Sequence, residues 1–214
     1  MKICYLDGCR ECNGPCVRPR KGLLCLLLIG FVLFAAVLCP APALAESNRA
    51  TVLLVARDKS IDMEYFIKNE VNLMIDFLKA AGYEVRVATP SGKLIEAGAT
   101  RLESNLKMSD VQVKDYVAVV VPCMGAADYS VPKECVAIVR EAELKGIIVA
   151  AQHSTEVLAP AGLAKTYKIA NSPGVVIDRH LITSYNCPYT AISNHQPVDT
   201  EKLIAALVTE LSRK

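Results

Sequence analysis

The strongest constraint in this 214-residue chain is a set of short apolar runs that do not alternate with polar residues. Thr51-Val52-Leu53-Leu54-Val55-Ala56, Asp115-Tyr116-Val117-Ala118-Val119-Val120-Val121 and Ile147-Ile148-Val149-Ala150-Ala151 are rich in β-branched side chains and offer no polar face. Such strands are covered on both sides, which is the condition of a parallel sheet. Parallel neighbours need crossover connections, and the intervening sequence supplies helices for them. Val71, Met74, Ile75 and Leu78 recur at helical spacing before Gly82, and Val131 to Lys145 reads as a helix stopped by Gly146. A short helix is expected from near Ser154 through Leu158, and Glu201 to Ser212 is amphipathic with Leu203, Leu207 and Leu211 on one face. Tyr83 to Ala88 is a further strand, and Val175 to Asp178 with Leu181 to Ser184 reads as a hairpin. Repeated β-α units predict an α/β fold, doubly wound, with a mostly parallel sheet and helices on both faces.

A segment of another kind precedes these elements. Gly22 to Cys39 is uncharged and apolar, preceded by Arg18, Arg20 and Lys21 and followed by Pro40 to Ala45, with small residues at Ala43 and Ala45. Basic flank, apolar stretch and A-x-A end form the pattern of a secretory signal, with cleavage after Ala45 and a mature chain from Glu46. A single-span anchor is the other reading, because 18 apolar residues reach the lower end of what crosses a bilayer. In both readings residues 46–214 form one exported domain, periplasmic or extracellular, and membrane contact is made only through residues 22–39.

Charge follows the same division. Residues 1–45 hold five Lys or Arg against two Asp or Glu, which leaves 19 basic and 20 acidic residues in 46–214 and no electrostatic footprint for nucleic acid. Six of the nine cysteines (Cys4, Cys9, Cys12, Cys16, Cys25 and Cys39) also lie in the leader. Cys9, Cys12 and Cys16 lack a second half-site, and His180 and His195 have no ligating neighbours, so neither a metal nor another cofactor is expected. Cys123, Cys135 and Cys187 are odd in number, so at least one stays a thiol or pairs between chains.

In open α/β sheets ligands gather at the carboxyl ends of strands, which directs attention to three turns: the segment after Val55, Pro122-Cys123-Met124-Gly125, and Gln152-His153-Ser154-Thr155. The order of these turns resembles the DJ-1/PfpI family of the class I glutamine amidotransferase-like superfamily. Gly82 to Gly92 (GYEVRVATPSG) is similar to the family's second strand and turn, and Asp115 to Pro122 to its DYDALVLPGG segment. Lys145 to Leu163 (KGIIVAAQHSTEVLAPAGL) matches its nucleophile-elbow segment, and Leu181-Ile182-Thr183-Ser184 its LVTSR strand. The resemblance covers most of residues 50–212 and implies a flavodoxin-like sandwich and a small-molecule pocket; the family commonly forms homodimers.

The family works through a thiol on a tight strand-to-helix turn. At that position this sequence reads Gln152, which is no nucleophile, followed by His153 where the family has a histidine. The glutamate that the family sets beside its cysteine corresponds to Glu70, by distance from Gly82, rather than to Glu64. Cys123 and Met124 replace the two glycines of the oxyanion turn, which places a thiol opposite the elbow. The resemblance thus implies Glu70, Gln152, His153 and Cys123 as the catalytic positions and Met124, Gly125 and Ser154 as ligand-binding ones. Three readings follow: a catalytically degenerate domain that binds a small ligand or a partner, a hydrolase, amidase or 2-oxoaldehyde-processing enzyme using Cys123 or an activated water, and a stress-related holdase. Cys187, after the LVTSR-like strand, adds a thiol to the pocket rim or pairs with another cysteine.

Overall fold

The computed structural model describes residues 49–214 apart from Ala127, so the signal or anchor segment and its six cysteines lie outside the described residues. Along the chain run β1 (Thr51–Val55), α1 (Met63–Phe66), a π-helical turn (Ile67–Val71), α2 (Asn72–Ala80), β2 (Glu84–Thr89), the hairpin of β3 (Ile95–Ala97) and β4 (Thr100–Leu102), and β5 (Leu106–Lys107). Then come β6 (Ala118–Val121), α3 (Lys133–Leu144), β7 (Ile148–Gln152), α4 (Thr155–Leu158), α5 (Leu163–Thr166), β8 (Val175–Asp178), β9 (Leu181–Ser184), α6 (Pro188–Asn194) and α7 (Thr200–Leu211). Among the described residues no helix is long and apolar enough to cross a membrane.

Seven strands make one sheet in the order β5-β2-β1-β6-β7-β9-β8, parallel except for the β8–β9 pair. The unbroken apolar runs are explained by two packed faces. Val52 and Leu54 of β1, Val120 of β6 and Ala150 of β7 point toward α1, α2 and α7, where Phe66, Met74, Leu78, Leu203 and Leu207 cover them. Leu53, Val55, Val119, Val121 and Val149 point the other way, against Cys135, Ile138, Val139 and Ala142 of α3. Each fully buried aliphatic side chain contributes about 1.5–3 kcal/mol.

The third strand is shorter than its apolar run, because Val113–Asp115 turns as a 3₁₀ helix and hydrogen-bonded strand begins at Ala118. Pro132, extended at ψ 144, likewise moves the start of α3 from Val131 to Lys133. The π-helical turn fits one extra residue between α1 and α2. Within it the Asn69 side chain donates to the Tyr65 carbonyl at 3.0 Å, and Glu70 and Val71 are turned into the protein.

Candidate active site

Loops after β6, β7 and β9 meet the α1 end of the first crossover around a cavity of about 750 Å³. β7 lies between β6 and β9 in the sheet, so the loops that carry Cys123 and Cys187 approach each other across the end of β7.

The turn after β7 differs from the arrangement expected from the elbow resemblance. Gln152 is still strand: it pairs in register with Ser184, is fully buried, and donates from Nε2 to the Asn186 carbonyl (2.9 Å) and to Thr200 Oγ1 (2.8 Å). Its side chain is thereby committed to α7 and the loop after β9, away from the cavity. The residue at the tip is His153, whose φ of 41° is a left-handed conformation unusual for a side-chain-bearing residue. His153 lines the cavity, and because its Nδ1 lies 2.8 Å from the Tyr185 carbonyl, which can only accept, Nδ1 carries a proton. Ser154 is not at the cavity either. Its buried hydroxyl lies 2.7 Å from the Gln152 carbonyl and 2.8 Å from that of Pro122, tying the ends of β6 and β7 together.

The other expected residues converge. Glu70, in the π-helical turn, is buried and accepts the Cys123 backbone N–H at 2.6 Å. That N–H is therefore engaged by Glu70 and is not an oxyanion donor. Burial, reinforced by the nearby Cys187 sulfur, holds the Glu70 carboxyl well above the usual range. Met124 packs into the core with one edge on the cavity, and Gly125 forms its floor, where a Cβ would stand 2.9 Å from Glu156 Oε1. Glu64 is elsewhere, accepting the Ala99 N–H at 3.2 Å.

Cys187 is more central than the sequence indicates. Cys123 and Cys187 both line the cavity as thiols; the Cys123 thiol donates to the Gly125 carbonyl at 4.0 Å, and the Cys187 sulfur accepts from the Thr190 hydroxyl at 3.5 Å. The neighbouring Cys123 thiol, together with Thr190 and Tyr189, outweighs burial and draws the Cys187 thiol below the usual range. The neighbouring Cys187, burial and the Glu70 carboxyl push the Cys123 thiol up. Cys135 stands apart in α3, pushed up to about 12 by burial alone. The pairing of Cys123 with Cys187, 64 residues apart, was recoverable only by placing both at carboxyl ends of strands flanking β7.

Around the thiols the titratable cavity walls are Asp62, Asp128 and Glu156 with His153, and no lysine or arginine is among the described lining residues. Asp62 is paired with Arg57 at 2.6 Å, a fully buried guanidinium that also donates to the Gly125 carbonyl (3.3 Å) and stacks 4.2 Å over Phe66. Tyr129, Val131 and Tyr189 supply apolar surface.

A model of the DJ-1/PfpI family matches residues 50–206. No curated protein matches the chain by sequence. Among solved structures it is similar to a ThiJ/PfpI domain protein from Brachyspira murdochii, at 16% identity over 78% of this chain and 99% of that one, with a TM-score of 0.58. It is also similar to a two-domain protein of Anabaena variabilis with DJ-1/ThiJ/PfpI-like and ferritin-like domains, at 20% identity and TM-score 0.52 over 77% of this chain; the match spans about half of that protein (48%). A third is the rapid encystment protein of Francisella tularensis, at 13% identity over 76% and 99% of the two chains and TM-score 0.52. These likenesses are of fold, and the family match over residues 50–206 makes the chain a member of the DJ-1/PfpI family.

Proposed function

We propose that this is an exported DJ-1/PfpI-like domain, silent at the family's elbow, that binds a small neutral or cationic molecule in the cavity beside His153. The observation that carries the reading is the wall: three carboxylates, one of them neutralised by Arg57, apolar tyrosine and valine surface, and no lysine or arginine. An anion entering that space meets only like charge at the walls, whereas a neutral or positive molecule gains hydrogen bonds to Asp128, Glu156 and His153. Elbow silence follows from Gln152 being held in the sheet and from a histidine occupying the strained turn.

The test is a melting-temperature screen of the purified chain against neutral, cationic and anionic small molecules, run beside turnover assays with a 2-oxoaldehyde and simple esters and amides. A ligand at about 100 times its Kd adds about 2.7 kcal/mol, which for a chain of this size raises Tm by about 5–10 °C. We expect such shifts from neutral or cationic compounds and none from their carboxylate analogues. Equal shifts with anions, or ester or 2-oxoaldehyde turnover that vanishes in His153→Ala, overturn the reading.

A further inference from the structure

Two thiols that line one cavity are not accounted for by ligand binding. We propose that Cys187 and Cys123 form a redox-active dithiol that reduces small hydroperoxides, Cys187 as the attacking sulfur and Cys123 as the resolving one. The inference rests on the cavity of the preceding section being open to small molecules, and adds to binding a chemistry for which the elbow is not needed.

The assignment of roles comes from the surroundings of each sulfur. Cys187 accepts the Thr190 hydroxyl at 3.5 Å, and its thiol is drawn below the usual range by the neighbouring Cys123 and by Thr190 and Tyr189, so it is the sulfur equipped to carry negative charge. The Cys123 thiol donates to the Gly125 carbonyl at 4.0 Å, and its own backbone is fixed by Glu70 at 2.6 Å. A thiolate in contact with a second thiol is the arrangement in which oxidation stops at a disulfide instead of climbing to sulfinic acid. Access selects the oxidant. Cys187 has 0% and Cys123 6% of its surface exposed, so the sulfur of a protein disulfide has no in-line path to either, and the cavity that both line leaves an approach only for a molecule of a few atoms. The carboxylate walls further favour an uncharged oxidant such as hydrogen peroxide or a short alkyl hydroperoxide over a peroxy acid anion.

The chemistry balances as a two-electron reduction. The Cys187 thiolate attacks the outer oxygen of ROOH; an S–O bond forms, the O–O bond breaks, and the departing alkoxide takes a proton from water to leave as ROH. Sulfur is oxidised to the sulfenic acid and the peroxide is reduced. Cys123 then attacks the Cys187 sulfur, forming the S–S bond and breaking the S–O bond, and the hydroxide leaves as water with the Cys123 proton. An external dithiol returns the pair to the thiols by exchange and becomes a disulfide itself.

The test uses the reduced full chain, freed of reductant, treated with one equivalent of hydrogen peroxide, alkylated and digested with trypsin. Cys123, Cys135 and Cys187 fall on separate peptides, 115–133, 134–140 and 180–202. We expect peptides 115–133 and 180–202 to be joined by a disulfide while Cys135 remains alkylated, and peroxide to be consumed repeatedly when dithiothreitol is supplied. In Cys123→Ser the sulfenic acid should persist on Cys187 and be trapped by dimedone; in Cys187→Ser consumption should fall at least tenfold, while Cys135→Ser should behave as wild type. Peptides that stay unlinked in the wild type, linkage through Cys135, or undiminished consumption in Cys187→Ser overturns the proposal, and the first of these outcomes needs no variant to fold. The two readings fail separately. Wild-type chain that shows ligand-induced melting shifts but no disulfide refutes this inference alone, and a disulfide without melting shifts refutes the binding reading alone.

Discussion

Asp199 holds the loop that presents Cys187, and its removal gives a sharp test of how that loop is fixed. The residue stands at the N-terminus of α7, yet its carboxylate does not cap that helix. Fully buried, it accepts the N–H of Asn186 at 3.1 Å and the N–H of Gly174 at 2.9 Å on one oxygen, and reaches Lys202 at 3.2 Å with the other. Asp199 N–H in turn donates to the Asn186 carbonyl at 3.0 Å, so one residue anchors the chain before β8 and the chain after β9. Asp199→Ala leaves two backbone donors without an acceptor at about 1–3 kcal/mol each, whereas the Lys202 pair, whose lysine is 60% exposed, adds only about 0–1 kcal/mol. The total, about 2–7 kcal/mol, corresponds to a Tm lower by about 4–28 °C. Asp199→Asn keeps a carbonyl oxygen for both N–H groups and loses only the lysine attraction, about 1 kcal/mol or about 2–4 °C. Thermal and urea denaturation of the three proteins side by side measure both numbers. If Asp199→Ala melts within 2 °C of wild type, or if the asparagine variant falls as far as the alanine one, the carboxylate is not the clamp described here.

Two further substitutions probe the site through stability. Glu70 holds its proton to higher pH folded than unfolded, where the ordinary value is about 4.5; the folded state therefore binds more protons, and this group's contribution declines as pH rises above that value. Glu70→Gln keeps an acceptor for Cys123 and removes the titration, so its Tm relative to wild type should climb from pH 4 to pH 7; a difference that stays constant across that range contradicts the assignment. At His153 the left-handed backbone (φ 41°) predicts that His153→Gly is more stable than His153→Ala by about 1 kcal/mol, because both lose the imidazole and only glycine escapes the strain. Equal denaturation midpoints for the two would remove the strain from the account.

The parts of the fold that were legible in the sequence are those decided locally. TVLLVA at 51–56 and IIVAA at 147–151 lack a polar face because both faces are packed, and that is visible in the run itself. Glu70 was singled out by its distance to Gly82, and it lies buried in the π-helical turn that opens the helix between them. The placement of Gln152 was not legible, because the strand-to-turn boundary is set by pairing with Ser184 and by partners at Asn186 and Thr200 that lie 34 and 48 residues away. The same holds for the Cys123–Cys187 contact and the Asp199 clamp, each made by loops that only the strand order brings together. The helix at 188–194 went unread because its seven residues carry no apolar period long enough to register; the proline at its first position was its one local sign.

The π-helical turn at Ile67–Val71 divides the first crossover into two independently phased pieces. An α-helix advances about 100° and 1.5 Å per residue, so deleting one residue in this turn would swing α1 by about that angle relative to α2. Phe66 and Met63, buried on the same side of the sheet as Met74 and Leu78, would then no longer share a face with them, or else Glu70 would leave Cys123. The chain can satisfy core packing and a buried carboxylate at once because it is one residue longer here than a regular helix allows. Length at this position is therefore under tighter constraint than identity: Lys68, which is exposed, should tolerate many replacements and no deletion.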